Sequence, residues 1–239
     1  YACTLDGQVY ALNASTGGLL WEKSLNGSPL APAAVEAVLV VATREGEVTA
    51  FDRNGGVMWR SSFEDGITYG PAIHNGGVWF ATGKKLFVME NGNVEKVLEF
   101  QASVTSFSLK DGEAYVCLED GTVRSVKDGE VGWSFTSPAG APHSMAVAEN
   151  TIFVSCGNRL FCLEHGTGEA IWEMCIRGDS LAVAYGKIFM TSEDGGIYCI
   201  GSWGKAQNES FIAGLAYICA AAVLAFLLYM LGRKTGKRR

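Results

Sequence analysis

A recurring segment of 37–39 residues, short apolar runs separated by glycine turns, and one long uncharged stretch indicate the fold class of this 239-residue chain. Together they predict an all-β protein, a β-propeller of four-stranded blades, followed by one C-terminal transmembrane α-helix. About six blades are visible in the sequence.

Each repeat contains a glycine turn followed by a short apolar strand, as in "DGQVYALN" and "GNRLFCLE". The first apolar residues of these strands are Val9, Val48, Leu86, Val123, Leu160 and Ile197. They are spaced by 39, 38, 37, 37 and 37 residues. Further β-rich runs lie on both sides, and no segment before residue 210 keeps an apolar period of 3.6 residues. Four short strands in about 40 residues are typical of a propeller blade.

A tryptophan closes the last run of four repeats, whereas Val97 takes that place in the third repeat. The four residues are Trp21, Trp59, Trp133 and Trp172. In "ALNASTGGLLW" and "CLEHGTGEAIW" a Thr-Gly pair supplies a turn that needs a positive φ. We expect the indoles to wedge between neighbouring blades, a structural docking role rather than a catalytic one.

The pattern AxNxxTGxxxW, from Ala11 to Trp21, resembles the docking motif of the PQQ-like, quinoprotein-type propeller repeat. The resemblance covers residues 1–203 and implies a propeller of seven or eight blades, N-terminally incomplete in this chain. It also raises the alternative of a membrane-bound quinoprotein dehydrogenase with pyrroloquinoline quinone and calcium. Such enzymes use a pair of adjacent cysteines, which this sequence lacks, and the three histidines fall in three different repeats when repeats are counted from one marker residue to the next. We therefore predict no enzyme, no catalytic residue, no cofactor and no metal site.

The stretch from Phe211 to Leu231 contains no charged residue and is long enough to cross a bilayer as a helix. Residues 204–210 form the predicted linker, and residues 232–239 form a tail that carries five basic residues. Because basic flanks stay cytoplasmic, the propeller is expected outside the cytosol, at the plasma membrane or endoplasmic reticulum. Residues 211–239 are the predicted contact with membrane lipid.

The part of the chain before the predicted span is acidic and contains candidate N-glycosylation sequons. Residues 1–210 hold 25 acidic and 14 basic residues, a formal charge of −11, which argues against nucleic acid as a partner. Candidate N-glycosylation sites are Asn13, Asn26 and Asn208.

The cysteines form no CxxC motif. Cys162 and Cys199 occupy the small-residue position of the marker strand, so we expect both to fill the core. A disulfide among Cys156, Cys162 and Cys175 stays open.

Binding is the function class that remains. The loops between blades hold all five prolines, and Tyr69 and His143 are candidate contacts in them. The leading hypothesis is a non-enzymatic single-pass protein whose propeller binds a protein or glycan outside the cytosol, as a receptor, adhesion or sensor module. This plan resembles the plant gamete expressed three type of protein. The alternative is a membrane-anchored assembly scaffold, similar to the outer-membrane insertion propellers of bacteria.

Overall fold

The structure, a computed structural model, describes residues 1–192 and 195–201. These residues form 22 strands in six antiparallel sheets. The strands are β1 (Ala2–Cys3), β2 (Gln8–Leu12), β3 (Leu19–Ser24), β4 (Ala33–Val35), β5 (Val38–Ala42), β6 (Glu47–Phe51), β7 (Val57–Ser62), β8 (Tyr69–His74), β9 (Gly77–Thr82), β10 (Lys85–Glu90), β11 (Asn93–Glu99), β12 (Val104–Lys110), β13 (Glu113–Leu118), β14 (Thr122–Lys127), β15 (Glu130–Thr136), β16 (Pro142–Val147), β17 (Thr151–Cys156), β18 (Arg159–Glu164), β19 (Ala170–Met174), β20 (Ser180–Ala184), β21 (Lys187–Thr191) and β22 (Ile197–Ile200).

Each sheet is one repeat, so the sheets are the blades of a propeller. Blade 1 is β1–β3, blade 2 is β4–β7, blade 3 is β8–β11, blade 4 is β12–β15, blade 5 is β16–β19 and blade 6 is β20–β22. The predicted four strands are present in blades 2 to 5. Blades 1 and 6 have three strands each among the described residues. In blades 2 to 6 the first strand lies innermost, and β4, β8, β12, β16 and β20 contact one another in succession.

The hydrophobic core lies between the blades. Each of the five buried clusters joins two neighbouring blades, as in the cluster where Leu86 and Ala81 of blade 3 meet Phe107 and Val116 of blade 4. The marker residues of blades 1 to 5 are fully buried because each faces the next blade. Burial of these apolar faces is the main force that holds the array together.

One expected core position is wrong. Cys162 is buried, but Cys199 of blade 6 is exposed, and Ile197 on the same strand is 79% exposed. Cys162 faces blade 6, whereas none of the described residues forms a further blade over Cys199 and Ile197. The same strand position is therefore core in blade 5 and surface in blade 6. Cys156, Cys162 and Cys175 are all free thiols.

The loops divide between two faces of the propeller. We call the face with the loops between blades and the turns between second and third strands of each blade the connector face. The opposite face carries the remaining turns, and we call it the hairpin face. Backbone hydrogen bonds hold the connector face together, such as Phe63 N–H to Gly46 O at 2.9 Å and Ser137 N–H to Gly121 O at 2.9 Å.

The predicted membrane span, residues 211–231, lies outside the described residues, as do the linker 204–210 and the tail 232–239. Among residues 1–192 and 195–201 there is no helix with the length and apolar character needed to cross a membrane.

Candidate functional site: the blade interfaces and the cleft between blades 3 and 4

Three of the tryptophans lie at the same place in three blade interfaces, those between blades 1 and 2, 2 and 3, and 4 and 5. The indole of each contacts a glycine in the turn between the third and fourth strands of the next blade. A Cβ added to that glycine would lie 2.9 Å from Trp21 at Gly55 and 3.1 Å from Trp59 at Gly92. At Gly168 it would overlap the ring of Trp133. All three glycines have positive φ, so the turn conformation and the close approach both require glycine.

Hydrogen bonds and ring contacts fix these indoles. Trp21 Nε1–H donates to Arg53 O at 3.0 Å, and Trp133 Nε1–H donates to His165 O at 2.9 Å. Trp172 packs against the cluster that joins blades 5 and 6, where its ring centroid lies 5.9 Å from that of Phe153.

A second aromatic ring accompanies the tryptophan in three blades. It lies on the second strand in blades 4 and 5 and just before β1 in blade 1, and the centroid distance is 5.9 Å in each pair. The pairs are Tyr1–Trp21, Tyr115–Trp133 and Phe153–Trp172. Such tilted and offset pairs stabilise an interface beyond the burial of their area.

Blade 3 has no tryptophan at the position that Trp21, Trp59 and Trp133 hold in their blades. The sequence-based assignment of Val97 to this position is wrong. In blades 1, 2 and 5 the tryptophan pairs with the small residue of the marker strand, as Trp59 pairs with Ala50. In blade 3 the equivalent residue is Val88, and its partner in β11 is Lys96. Lys96 also lies over the turn glycine of blade 4, because a Cβ on Gly129 would be 3.5 Å from its Cε and Nζ. Val97 points to the other side of the strand and is 47% exposed.

A cleft of about 240 Å³ lies between blades 3 and 4 on the hairpin face, beside Lys96. We call it the blade 3–4 cleft. Its apolar lining consists of Trp79, Val88, Leu98 and Val126. The charged residues at its rim are Glu90, Glu95, Lys96 and Asp128, and the remaining wall is formed by residues of neighbouring turns.

The two residues predicted to lie in binding loops, Tyr69 and His143, belong instead to the starts of strands β8 and β16, at the connector face. Tyr69 is the first residue of β8 and is 39% exposed, and its ring packs edge-on against Phe107 of blade 4 at 5.2 Å. Partial burial raises the pKa of its hydroxyl. His143 is exposed, and its Nε2 accepts a hydrogen bond from Gly157 N–H at 3.0 Å. They belong to blades 3 and 5, so the fold does not bring them together.

The other two histidines bridge blades. His74 Nε2 accepts from Gly112 N–H at 2.9 Å, which joins blade 3 to blade 4. His165 Nε2 shares a hydrogen bond with the hydroxyl of Tyr115 at 2.5 Å, which joins blade 5 to blade 4. Burial raises the pKa of the Tyr115 hydroxyl well above its usual range, with Glu113 adding to the effect. Sequence reasoning missed these contacts because the partners are 38 and 50 residues apart.

The candidate glycosylation sites Asn13 and Asn26 are both exposed, and Asn208 lies outside the described residues. Asn13 Oδ1 accepts hydrogen bonds from Ser15 N–H and Thr16 N–H at 3.0 Å, so its side chain also shapes the turn. Within the described part of the chain, no group of three His, Cys, Asp or Glu side chains is placed to hold a metal ion.

Curated relatives carry the name outer membrane protein assembly factor BamB. The protein from Nitrosomonas eutropha is 26% identical over 201 residues, covering 72% of this chain and 48% of the relative. The protein from Bordetella pertussis is 27% identical over 135 residues, covering 55% of this chain and 34% of the relative. The chain thus spans less than half the length of either relative.

Solved structures share the fold. The computationally designed Ika8 protein superposes with a TM-score of 0.74 at 17% identity, covering 82% of this chain and 65% of that protein. BamB from Moraxella catarrhalis superposes with a TM-score of 0.68 at 15% identity, covering 84% and 69%. The model of the family described as outer membrane protein assembly factor BamB matches residues 5–114 and 119–202, which is most of the chain. The chain therefore belongs to this family of PQQ-like propeller repeats.

Proposed function

We propose that this chain is a non-enzymatic scaffold that binds other proteins during assembly at a membrane. The names of its relatives, outer membrane protein assembly factors, support a role in assembly over the receptor, adhesion or sensor role. The observation on the molecule itself that carries the proposal is the environment of Tyr69. This side chain combines exposure with a fixed position on the connector face.

Tyr69 has the properties of an anchor for a protein partner. Its ring is held by Phe107 of the next blade, so little side-chain entropy remains to be lost on binding. Tyrosine is enriched among the residues that dominate the energy of protein interfaces. The loops beside it are supported by backbone hydrogen bonds, as in Thr68 N–H to Ala81 O at 2.8 Å. A rigid aromatic contact on a rigid face suits a scaffold.

An enzyme is less well supported. The histidines and most of the tryptophans, which would be the candidates for chemistry, take part in contacts within or between blades. A dye-linked dehydrogenase assay with added calcium and pyrroloquinoline quinone tests this point. Turnover would overturn the proposal.

The membrane part of the proposal rests on the sequence. Residues 211–231 are the proposed anchor, and the five basic residues of the tail favour a cytoplasmic C-terminus. The propeller, with Asn13 and Asn26 as candidate glycosylation sites, then lies outside the cytosol. Protease added to sealed microsomes should trim only the tail and spare the propeller. Digestion of the propeller with survival of the tail would reverse the orientation.

Site-specific photocrosslinking tests the binding role. Benzoylphenylalanine is placed at Tyr69 and, as a matched control, at Tyr185, which is 97% exposed in a turn of the hairpin face. We expect position 69 of the membrane-bound full chain to crosslink to a defined set of membrane proteins, and position 185 not to do so. Crosslinks only to glycoconjugates, or the same products from both positions, would contradict the proposal.

A further inference from the structure

The blade 3–4 cleft exists because a tryptophan is missing. At the other three interfaces described above an indole lies over the turn glycine of the next blade. At Gly129 the atoms nearest to an added Cβ belong to the narrow side chain of Lys96. The cleft of about 240 Å³ opens at this point. It is smaller than the roughly 300–1,000 Å³ of pockets that take drug-sized ligands, which suits one side chain.

Trp79 is the ring that lacks its partner. By strand register Trp79 lies opposite Val88, as Tyr115 lies opposite Ser125 and Phe153 opposite Cys162. It therefore holds the position whose ring pairs with a tryptophan in blades 4 and 5. In the described part of the chain Trp79 has no aromatic neighbour in ring contact, although it is only half buried. Because Trp79 lines the cleft, part of its surface can contact a ring from another molecule.

The charges at the rim favour a basic ligand. Glu90, Glu95 and Asp128 carry three carboxylates against the one ammonium of Lys96. None of the three carboxylates forms an ion pair within the described residues. A lysine or arginine beside the entering ring would find unpaired negative charge on two sides.

We propose that the blade 3–4 cleft binds an aromatic side chain of a partner polypeptide that is flanked by basic residues. The ring stacks on Trp79 and takes the place that Trp133 holds in the next interface, while Lys96 swings aside. This inference rests on the proposed protein-binding function and adds a second contact, on the hairpin face, with a defined chemistry.

Labelled peptides test the cleft with the full chain in detergent. The probe is a fluorescein-labelled Lys-Lys-Trp-Lys-Lys peptide, compared with Lys-Lys-Ala-Lys-Lys and Glu-Glu-Trp-Glu-Glu by fluorescence anisotropy. We expect both comparison peptides to bind at least about tenfold more weakly, because each lacks either the ring or the charge. Equal binding of the alanine peptide would mean attraction to surface charge alone and would overturn the proposal.

Two variants locate the binding. Lys96→Trp fills the cleft from within the chain. It should lower the affinity for the probe peptide by at least about tenfold, as expected when a hot-spot pocket is blocked. Val97→Trp adds the same side chain on the exposed side of the strand and should bind like the wild type. Unchanged binding of the probe peptide to the Lys96→Trp variant would refute the proposal that the peptide binds in the cleft.

The proposal for the cleft and the proposal of a scaffold role can be refuted independently of each other. Crosslinking at position 69 reports the connector face and does not depend on the blade 3–4 cleft. If the three peptides bind equally well while position 69 still crosslinks, only the proposal for the cleft is refuted. Absent crosslinking from position 69 would remove the proposed function whatever the peptides do.

Discussion

The interface between blades 4 and 5 and the interface between blades 3 and 4 use the same strand positions in opposite ways. In the first, Trp133 stacks against Tyr115 and covers Gly168, and its indole N–H is bonded across the interface. In the second, Lys96 replaces the tryptophan, and among residues 1–192 and 195–201 no aromatic ring pairs with Trp79. The comparison indicates that one interface is built for cohesion, whereas the other gives up part of that cohesion for an accessible cleft.

The largest difference between the interfaces should appear when each central side chain is truncated. We expect Trp133→Ala to lower the free energy of unfolding by about 3–5 kcal/mol, the usual cost of deleting a packed aromatic side chain. Lys96→Ala should change it by less than about 0.5 kcal/mol, because the lysine is exposed. Urea unfolding of both variants measures the difference. Equal losses would mean that the two interfaces are equally cohesive.

The turn glycines give the next contrast. Both Gly168 and Gly129 have positive φ, so alanine strains the backbone at either position by about 1–2 kcal/mol. Only at Gly168 would the added methyl also overlap the indole of Trp133, for a total loss of about 2–4 kcal/mol. At Gly129 the methyl would meet the flexible end of Lys96 at 3.5 Å. Thermal unfolding of the two alanine variants should rank them in this order, and the reverse order would contradict tight packing at Gly168.

The repeat itself could be predicted from the sequence because its signals are local. Glycine turns and apolar runs at a fixed spacing indicated the blades and the strand that carries each marker residue. The assignment of Val97 failed because the turn before the fourth strand varies in length. Blades 3 and 4 both have a two-residue turn there, Asn91-Gly92 and Asp128-Gly129. Counting ten residues from the marker leads to Trp133 in blade 4 and to Lys96 in blade 3.

The rest of the candidate site depends on contacts that no local pattern encodes. The exposure of Cys199 follows from which blades lie beside blade 6, and the bonds of His74 and His165 join residues of different repeats. The cleft was hidden for the same reason, since its residues come from five strands and turns of two blades. The roles predicted for Tyr69 and His143, and the membrane span at 211–231, stay predictions.

The hydroxyl of Tyr115 adds a pH-dependent term to the blade 4–5 interface. We expect Tyr115→Phe to cost about 1–3 kcal/mol at neutral pH, because His165 Nε2 loses its buried partner. Burial raises the pKa of this tyrosine in the folded state above its ordinary value of about 10, so its contribution is complete below pH 10. Above that pH the unfolded chain releases the proton while the folded chain retains it, and stability falls.

Measuring the free energy of unfolding between pH 8 and pH 11 tests whether stability falls in this direction. The range is chosen because the ordinary pKa of tyrosine is about 10. The difference in the free energy of unfolding between the wild type and Tyr115→Phe should become smaller as the pH rises. Tyr185→Phe is the matched control, since Tyr185 is 97% exposed and lies away from this interface. A constant gap would mean that the Tyr115 hydroxyl is not buried as described.

The smallest expected effect converts one interface into the other. Lys96→Trp places an indole at the position that Trp133 holds in blade 4, beside Trp79 and over Gly129. We expect the free energy of unfolding to rise by about 0.5–1.5 kcal/mol, the contribution of an aromatic pair. Val97→Trp, on the exposed side of the same strand, should leave stability unchanged. Because the cleft is proposed to lack this ring for the sake of binding, the gain in stability should accompany the loss of peptide affinity. A Lys96→Trp variant that is less stable than the wild type would show that the cleft cannot hold an indole, and a partner's ring would then be excluded as well.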